Sequence, residues 1–110
     1  MKVTAKGHTT IIKDSKDDLG AFVAKLTPEI NTFKTQNLII DLHHYGTIAD
    51  KDVLLLQPLS KRHKQNKKSF VVVVSATDFN AFPDSFIVVP SVLEAHDIIE
   101  MEEIERDLGF

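Results

Sequence analysis

A chain of 110 residues has room for one hydrophobic core, and 43% hydrophobic with 26% charged residues argues against disorder. With no cysteine there are no disulfides, thiolate nucleophiles or cysteine zinc sites, and seven Phe, one Tyr and no Trp offer little for stacking bases. A formal net charge of -3 excludes a uniformly basic nucleic-acid binder. The N-terminal residues lack the apolar segment of a secretory signal, and the longest apolar runs fall far short of a membrane span. These features lead to the expectation of a single cytoplasmic domain over 1–110, without a membrane partner.

In chain order, Val3 to Ala5 and His8 to Lys13 read as two short strands with Gly7 between them, and Asp14 to Asp17 as a turn or helix start. Leu19, Phe22, Val23 and Leu26, then Ile30 and Phe33, recur at spacings of three and four and predict an amphipathic helix that Pro28 breaks or kinks near Thr27. Leu38 to Leu42 is a short apolar run and predicts a buried strand. A polar loop follows, from His43 to Asp50. Asp50 or Asp52 is placed to cap the next helix, whose apolar positions are Val53, Leu55, Leu56 and Leu59. Pro58 predicts a kink or a restart near Gln57.

Phe70 to Val74 is the clearest strand, apolar on both faces. Asp78 to Asp84 reads as a loop with one helical turn, and Phe86 to Val89 as the last strand. Ser91 and Glu94 have the spacing of a capping box that opens a terminal helix. In that helix Val92, Ala95 and Ile99 line one side, and Ile98, Met101, Ile104 and Leu108 are expected to continue the apolar face. Gly109 and Phe110 resemble a glycine stop with a hydrophobic clasp. Residues 100–110 form an acidic amphipathic extension of the helix. Buried strands alternating with helices predict an α/β fold, with parallel strands in the centre and the N-terminal pair as an antiparallel edge.

From about Asn37 to Ile99 the chain resembles the STAS domain family, the fold of bacterial anti-sigma factor antagonists. Asp41-Leu42-His43 matches the end of the family's strand, and Ile48 to Asp52 its Ile-Asp-Ser-Ser-Gly-like turn. Lys61 to Lys68 followed by Phe70 to Val74 matches its basic helix end and valine-rich strand. The resemblance implies a STAS-like mixed sheet with helices packed on it, and a non-catalytic, cytoplasmic, regulatory protein-binding role. It implies a partner such as a regulatory kinase or an anti-sigma-like protein; no cofactor is expected. In the family a Ser or Thr in the turn takes a phosphoryl group. Laid over this chain without gaps, that position is Asp50, followed by Lys51, and the nearest hydroxyl is Thr47. Asp50 either imitates a permanently modified state or caps the helix. The C-terminal Met-Glu-Glu-Ile-Glu-Arg-Asp-Leu-Gly-Phe also resembles that of short bacterial proteins sometimes labelled ribonuclease Z, but the His-x-His-x-Asp-His metal motif of that nuclease does not occur in this sequence.

His43-His44 is the one paired-imidazole feature. Adjacent residues of an extended chain point to opposite sides, so a shared metal is not expected, and the alternative is a polar loop with one His partly packed. His8, His63 and His96 are scattered and expected to be exposed or half-buried. The four glycines form no phosphate-binding loop and no serine lies in a nucleophile-elbow context, so the expectation is a non-enzyme. Lys61, Arg62, Lys64, Lys67 and Lys68 make a basic cluster. Glu94, Asp97, Glu100, Glu102, Glu103, Glu105 and Asp107 make an acidic one. Both suit a solvated helix face, or docking on a partner or a second copy as a homodimer. The candidate binding surface therefore comprises His43, His44, Thr47, Asp50, Lys51, Lys61, Arg62 and Lys64, with Glu102 and Glu103 on the terminal helix. The rival readings are a small ligand- or metal-binding domain or minor enzyme using the 41–50 loop, and an accessory RNA-processing protein using the 61–68 patch.

Overall fold

In the computed structural model, which describes residues 1–14 and 18–109, five strands form one sheet in sequential order. They are β1 (Lys2–Lys6), β2 (Thr9–Lys13), β3 (Asn37–Asp41), β4 (Phe70–Val73) and β5 (Ile87–Val89). Strand β1 pairs antiparallel with β2 from Lys2↔Lys13 to Lys6↔Thr9, a hairpin turned at Gly7, where φ is +60°. The remaining pairs are parallel, with Thr9 opposite Asn37, Leu38 opposite Phe70 and Val71 opposite Ile87. The fold is thus α/β with a mixed sheet, a parallel centre and an antiparallel edge.

Sequential parallel strands joined by right-handed crossovers put every crossover on the same side of the sheet. That side carries α1 (Leu19–Leu26), the 3-10 segment Thr27–Phe33, α2 (Asp50–Val53), the 3-10 turn Leu54–Leu56 and α3 (Gln57–Lys64). Their Phe22, Leu26, Ile30, Val53, Leu56 and Leu59 enclose Ile12, Leu38, Ile40, Phe70 and Val72 of the sheet. Among the described elements only α4 (Val92–Asp107) covers the other side, where Ala95 and Ile99 pack on Ile39, Val71 and Val73. Each apolar side chain buried in this way contributes about 1.5–3 kcal/mol. Strand β4 has no water-facing side, which explains its unbroken apolar sequence.

The prolines act as their chemistry requires. Helix α1 stops at Leu26 and Pro28 opens the 3-10 segment. Pro58 lies in the first turn of α3, which starts at Gln57 after a 3-10 turn over Leu54–Leu56. Ser91 caps α4 by accepting from Glu94 N–H at 3.2 Å, and Gly109, at φ +79°, ends the helix with a bond from its N–H to Arg106 O. The expected 78–84 turn is the 3-10 segment Phe79–Ala81. The turn or helix start expected over Asp14 to Asp17 lies, from Ser15 to Asp17, outside the described residues, and so does the clasp expected of Phe110.

Several expectations are corrected. Met101, Ile104 and Leu108 do not extend the buried side of α4. They are exposed, because the helix axis brings only the Ala95 and Ile99 side to the sheet. Leu55 likewise points to solvent while Val53, Leu56 and Leu59 are buried, since the 3-10 turn at 54–56 rotates it off the core. His63 is fully buried. Neither Asp50 nor Asp52 caps α2. Ala49 holds the extended N-cap conformation and makes no side-chain cap bond, while both aspartates lie within the first turn, where their charge complements the helix dipole. Among the described residues no helix is long and apolar enough to cross a membrane.

Candidate functional site

Strand β3 ends at buried Asp41, and the chain turns immediately. The Asp41 carboxylate accepts from His43 N–H at 3.0 Å and folds His43–Tyr45 into a 3-10 turn, which closes at Gly46 with φ +72° and ψ -132°. The two imidazoles are therefore not on an extended chain. Their ring centroids lie 5.6 Å apart and edge to face, and both side chains are exposed rather than packed beneath a helix. Ser75, just past β4, donates its hydroxyl to His43 O at 2.7 Å, and its oxygen lies 3.5 Å from His43 Nδ1. The hydroxyl proton is thus committed to a backbone carbonyl, and the Asp41 carboxylate contacts the backbone of His43 and not its ring. Tyr45 donates its hydroxyl to buried Asp14, which ties the loop to the end of β2. A pocket of about 260 Å³ opens beside this turn, lined by Lys13, Asp41, His43, His44, Ser91 and Val92, among others. Among the described residues no three His, Asp or Glu side chains converge as a metal site.

The second part of the predicted surface lies one turn further on. Thr47 is exposed and bridges to Ala76, which fixes the loop against the strand edge, while Ile48 anchors it in the core. Asp50 is half-buried; Lys51 and Asp52 are exposed. Between this segment and the start of α1 runs a groove of about 360 Å³, with Asp18, Gly20, Thr47, Ala49, Asp52 and Leu55 along it. Leu55 stands at its edge with 47% of its surface exposed.

The two charge clusters meet. Lys61 and Arg62 are exposed on α3, whereas Lys64, Lys67 and Lys68 line a cavity of about 540 Å³ opposite Glu102, Glu105 and Arg106 of α4. Lys64 also donates its ammonium to Ser85 O. The basic end of α3 and the acidic end of α4 thus border one cavity within one molecule, and the five cations do not form a single outward patch. Glu103 is held as well. Its carboxylate accepts from Asn37 Nδ2 at 3.1 Å and lies 3.7 Å from His8 Nδ1.

Three further groups are decisive, of which Asn37 and Arg106 have no role assigned from the sequence and His63 is expected there to be exposed or half-buried. Asn37 is fully buried at the start of β3, where its Oδ1 accepts from Ser69 N–H at 2.9 Å and from Arg106 Nη2 at 3.2 Å. Arg106 Nη1 donates to Ser69 Oγ at 3.2 Å. This network bolts the second half of α4 to the strand ends where apolar packing has run out. The available signal was an Asn opening an otherwise apolar strand. His63 is the third group. One ring nitrogen, Nε2, lies 2.6 Å from Gln36 O, its ring rests on Phe70, and Nδ1 is buried without a hydrogen-bond partner. Burial pushes its pKa below the ordinary histidine value, the bond to Gln36 partly opposes this, and Lys68 adds to the lowering. The i, i+4 spacing from Leu59 to His63 was the signal that it faces inward.

The C-terminal edge of the sheet therefore presents a hydrogen-bonded polar turn and an adjoining groove. Compared with protein-family models and with curated proteins, the sequence finds no match.

Proposed function

We propose that this chain is a non-catalytic, STAS-like protein-interaction module of a cytoplasmic regulatory complex of the anti-sigma antagonist type, acting through the face built from the His43–Asp50 loop, α2 and α3. The observation that carries the reading is the groove between α1 and α2 with exposed Leu55 at its edge. An exposed leucine forgoes the stabilisation of burial and gains it when a partner covers it. Thr47, Asp50, Lys51, Lys61 and Arg62 supply charged and polar groups around that anchor, as at the rim of a transient interface. Asp50 stands at the position where the resembled family carries its phosphoacceptor, and in this reading it supplies one fixed negative charge there.

The test is affinity capture with mass spectrometry from the native host. The partner should bind the wild-type chain and be lost with Leu55→Asp, and Asp50→Ser should weaken it while leaving the melting temperature within about 2 °C, a stability change inside the ±0.5 kcal/mol of surface substitutions. A partner retained by both variants overturns the reading.

A second reading is favoured by one observation, the pocket where the parallel strands end beside Asp41, His43 and His44, the usual ligand position in open α/β sheets. A nucleotide or divalent metal that raises the melting temperature, an effect lost in Asp41→Asn, would favour it.

A further inference from the structure

The outer side of α4 is built like an interface, although no described residue covers it. At about 100° per residue, Leu93, Met101, Ile104 and Leu108 fall within an arc of about 80°. This arc is opposite the side that Ala95 and Ile99 bury, and the four side chains are between 53% and 72% exposed. The stripe runs about 22 Å along the axis at 1.5 Å per residue. Asp97 lies within it, Glu94 and Glu105 flank one side, and Glu100 and Asp107 the other, all five exposed. Among the described residues none of the five forms an ion pair, although Glu105 also borders the cavity lined by Lys64, Lys67 and Lys68. Arg106, the only Lys or Arg of the helix, is turned inward onto Asn37 and Ser69. The bonds of Glu103 and Arg106 to Asn37 and Ser69 anchor the second half of the helix on the strand ends with the stripe turned outward.

We propose that the outer side of α4 is a docking surface for an amphipathic helix of another protein, one whose apolar residues at i, i+3, i+4 and i+7 are flanked by Lys or Arg. Charge selects this occupant. A second copy placing α4 against α4 would bring five acids onto five. The exposed residues of α3 that a second copy could offer instead, Pro58, Lys61 and Arg62, carry no apolar stripe. Nucleic acid and anionic lipid surfaces are repelled by the same acids. The inference rests on the reading of the chain as an interaction module but uses a different surface, on the opposite side of the sheet.

The probe is an 18-residue Leu/Lys peptide with leucines at helical spacing, compared with a scrambled peptide of equal composition and a Leu/Glu peptide. Binding is followed by fluorescence anisotropy at low and high salt and mapped by amide shifts. The Leu/Lys peptide should bind with shifts along α4 and weaken with salt. It should lose at least tenfold in affinity on scrambling, in the Ile104→Ser, Leu108→Ser double variant, and in Glu100→Lys. The Leu/Glu peptide should not bind. Equal binding of the scrambled peptide, unchanged affinity of the variants, shifts on another surface, or a dimer abolished by the double variant would each overturn the proposal. Leu55→Asp should leave peptide binding intact. Loss of native-partner capture in that variant with peptide binding retained bears on the Leu55 groove, and failure of peptide binding with Leu55-dependent capture retained bears on α4 alone.

Discussion

Replacing Asn37 by alanine is the sharpest test of how α4 is held. The side chain is fully buried, and its Oδ1 is the acceptor for the buried N–H of Ser69. Removing it leaves that N–H unpaired, at a cost of about 1–3 kcal/mol. Arg106 and Glu103 each lose one bond as well, but they are only half-buried, so water replaces the partner and each loss is about 0.5 kcal/mol. The sum is about 2–4 kcal/mol. For a chain of this length the unfolding entropy is about 0.23 kcal/mol/K, so the melting temperature should fall by roughly 9–17 °C. Urea denaturation followed by far-UV circular dichroism measures the loss, and hydrogen exchange should show faster exchange in the second half of α4. Arg106→Met, which leaves the bond from Asn37 to Ser69 in place, should cost about 1 kcal/mol, and the double variant should cost less than the sum of the two. A loss below about 0.5 kcal/mol for Asn37→Ala would refute the reasoning, because it would mean that the network does not satisfy buried groups.

Three other outcomes follow from particular residues. The folded state holds the pKa of His63 below its unfolded value, so the unfolded chain binds more protons as the pH falls through 6.5, the ordinary value of the side chain. Stability from this group is present above pH 6.5 and is lost toward the folded pKa. The urea midpoint measured from pH 7.5 to 5 should fall less steeply in His63→Gln, and an identical slope would exclude the histidine as its source. Gly46 has φ +72° and ψ -132° with open space around its Cα, so Gly46→Ala should cost about 1–3 kcal/mol from backbone strain alone, read as a lower melting temperature. Lys67 is the one non-glycine residue with positive φ among those described, at +59°, and Lys67→Gly should raise the melting temperature by a few degrees, corresponding to at most about 1 kcal/mol.

Much of the fold was legible because its determinants are local. The unbroken apolar run of β4, the prolines at 28 and 58, and the Ser91 cap each act within a few residues, and each appears where its sequence predicted. The His43–Tyr45 turn was not legible, because it depends on the Asp41 carboxylate reaching the His43 amide after the strand has ended. Asp50 and Asp52 had the chemistry of a cap, but α2 begins at Asp50 with Ala49 outside it, a one-residue difference that periodicity does not resolve.

The terminal helix shows the division most clearly. Its apolar residues surround the axis, with Val92, Ala95 and Ile99 on one side and Leu93, Met101, Ile104 and Leu108 on the other, so local signals specify that a helix forms but not which side it buries. That choice belongs to the tertiary structure. The described crossover elements of the sequential sheet share one side, α4 covers the other, and the Asn37–Ser69–Arg106 network ties its second half to the strand ends. The same packing brings the basic end of α3 against the acidic end of α4. Sequence determined the composition of those two clusters, whereas only the fold decided that they meet each other and that the apolar stripe of α4 is left facing water.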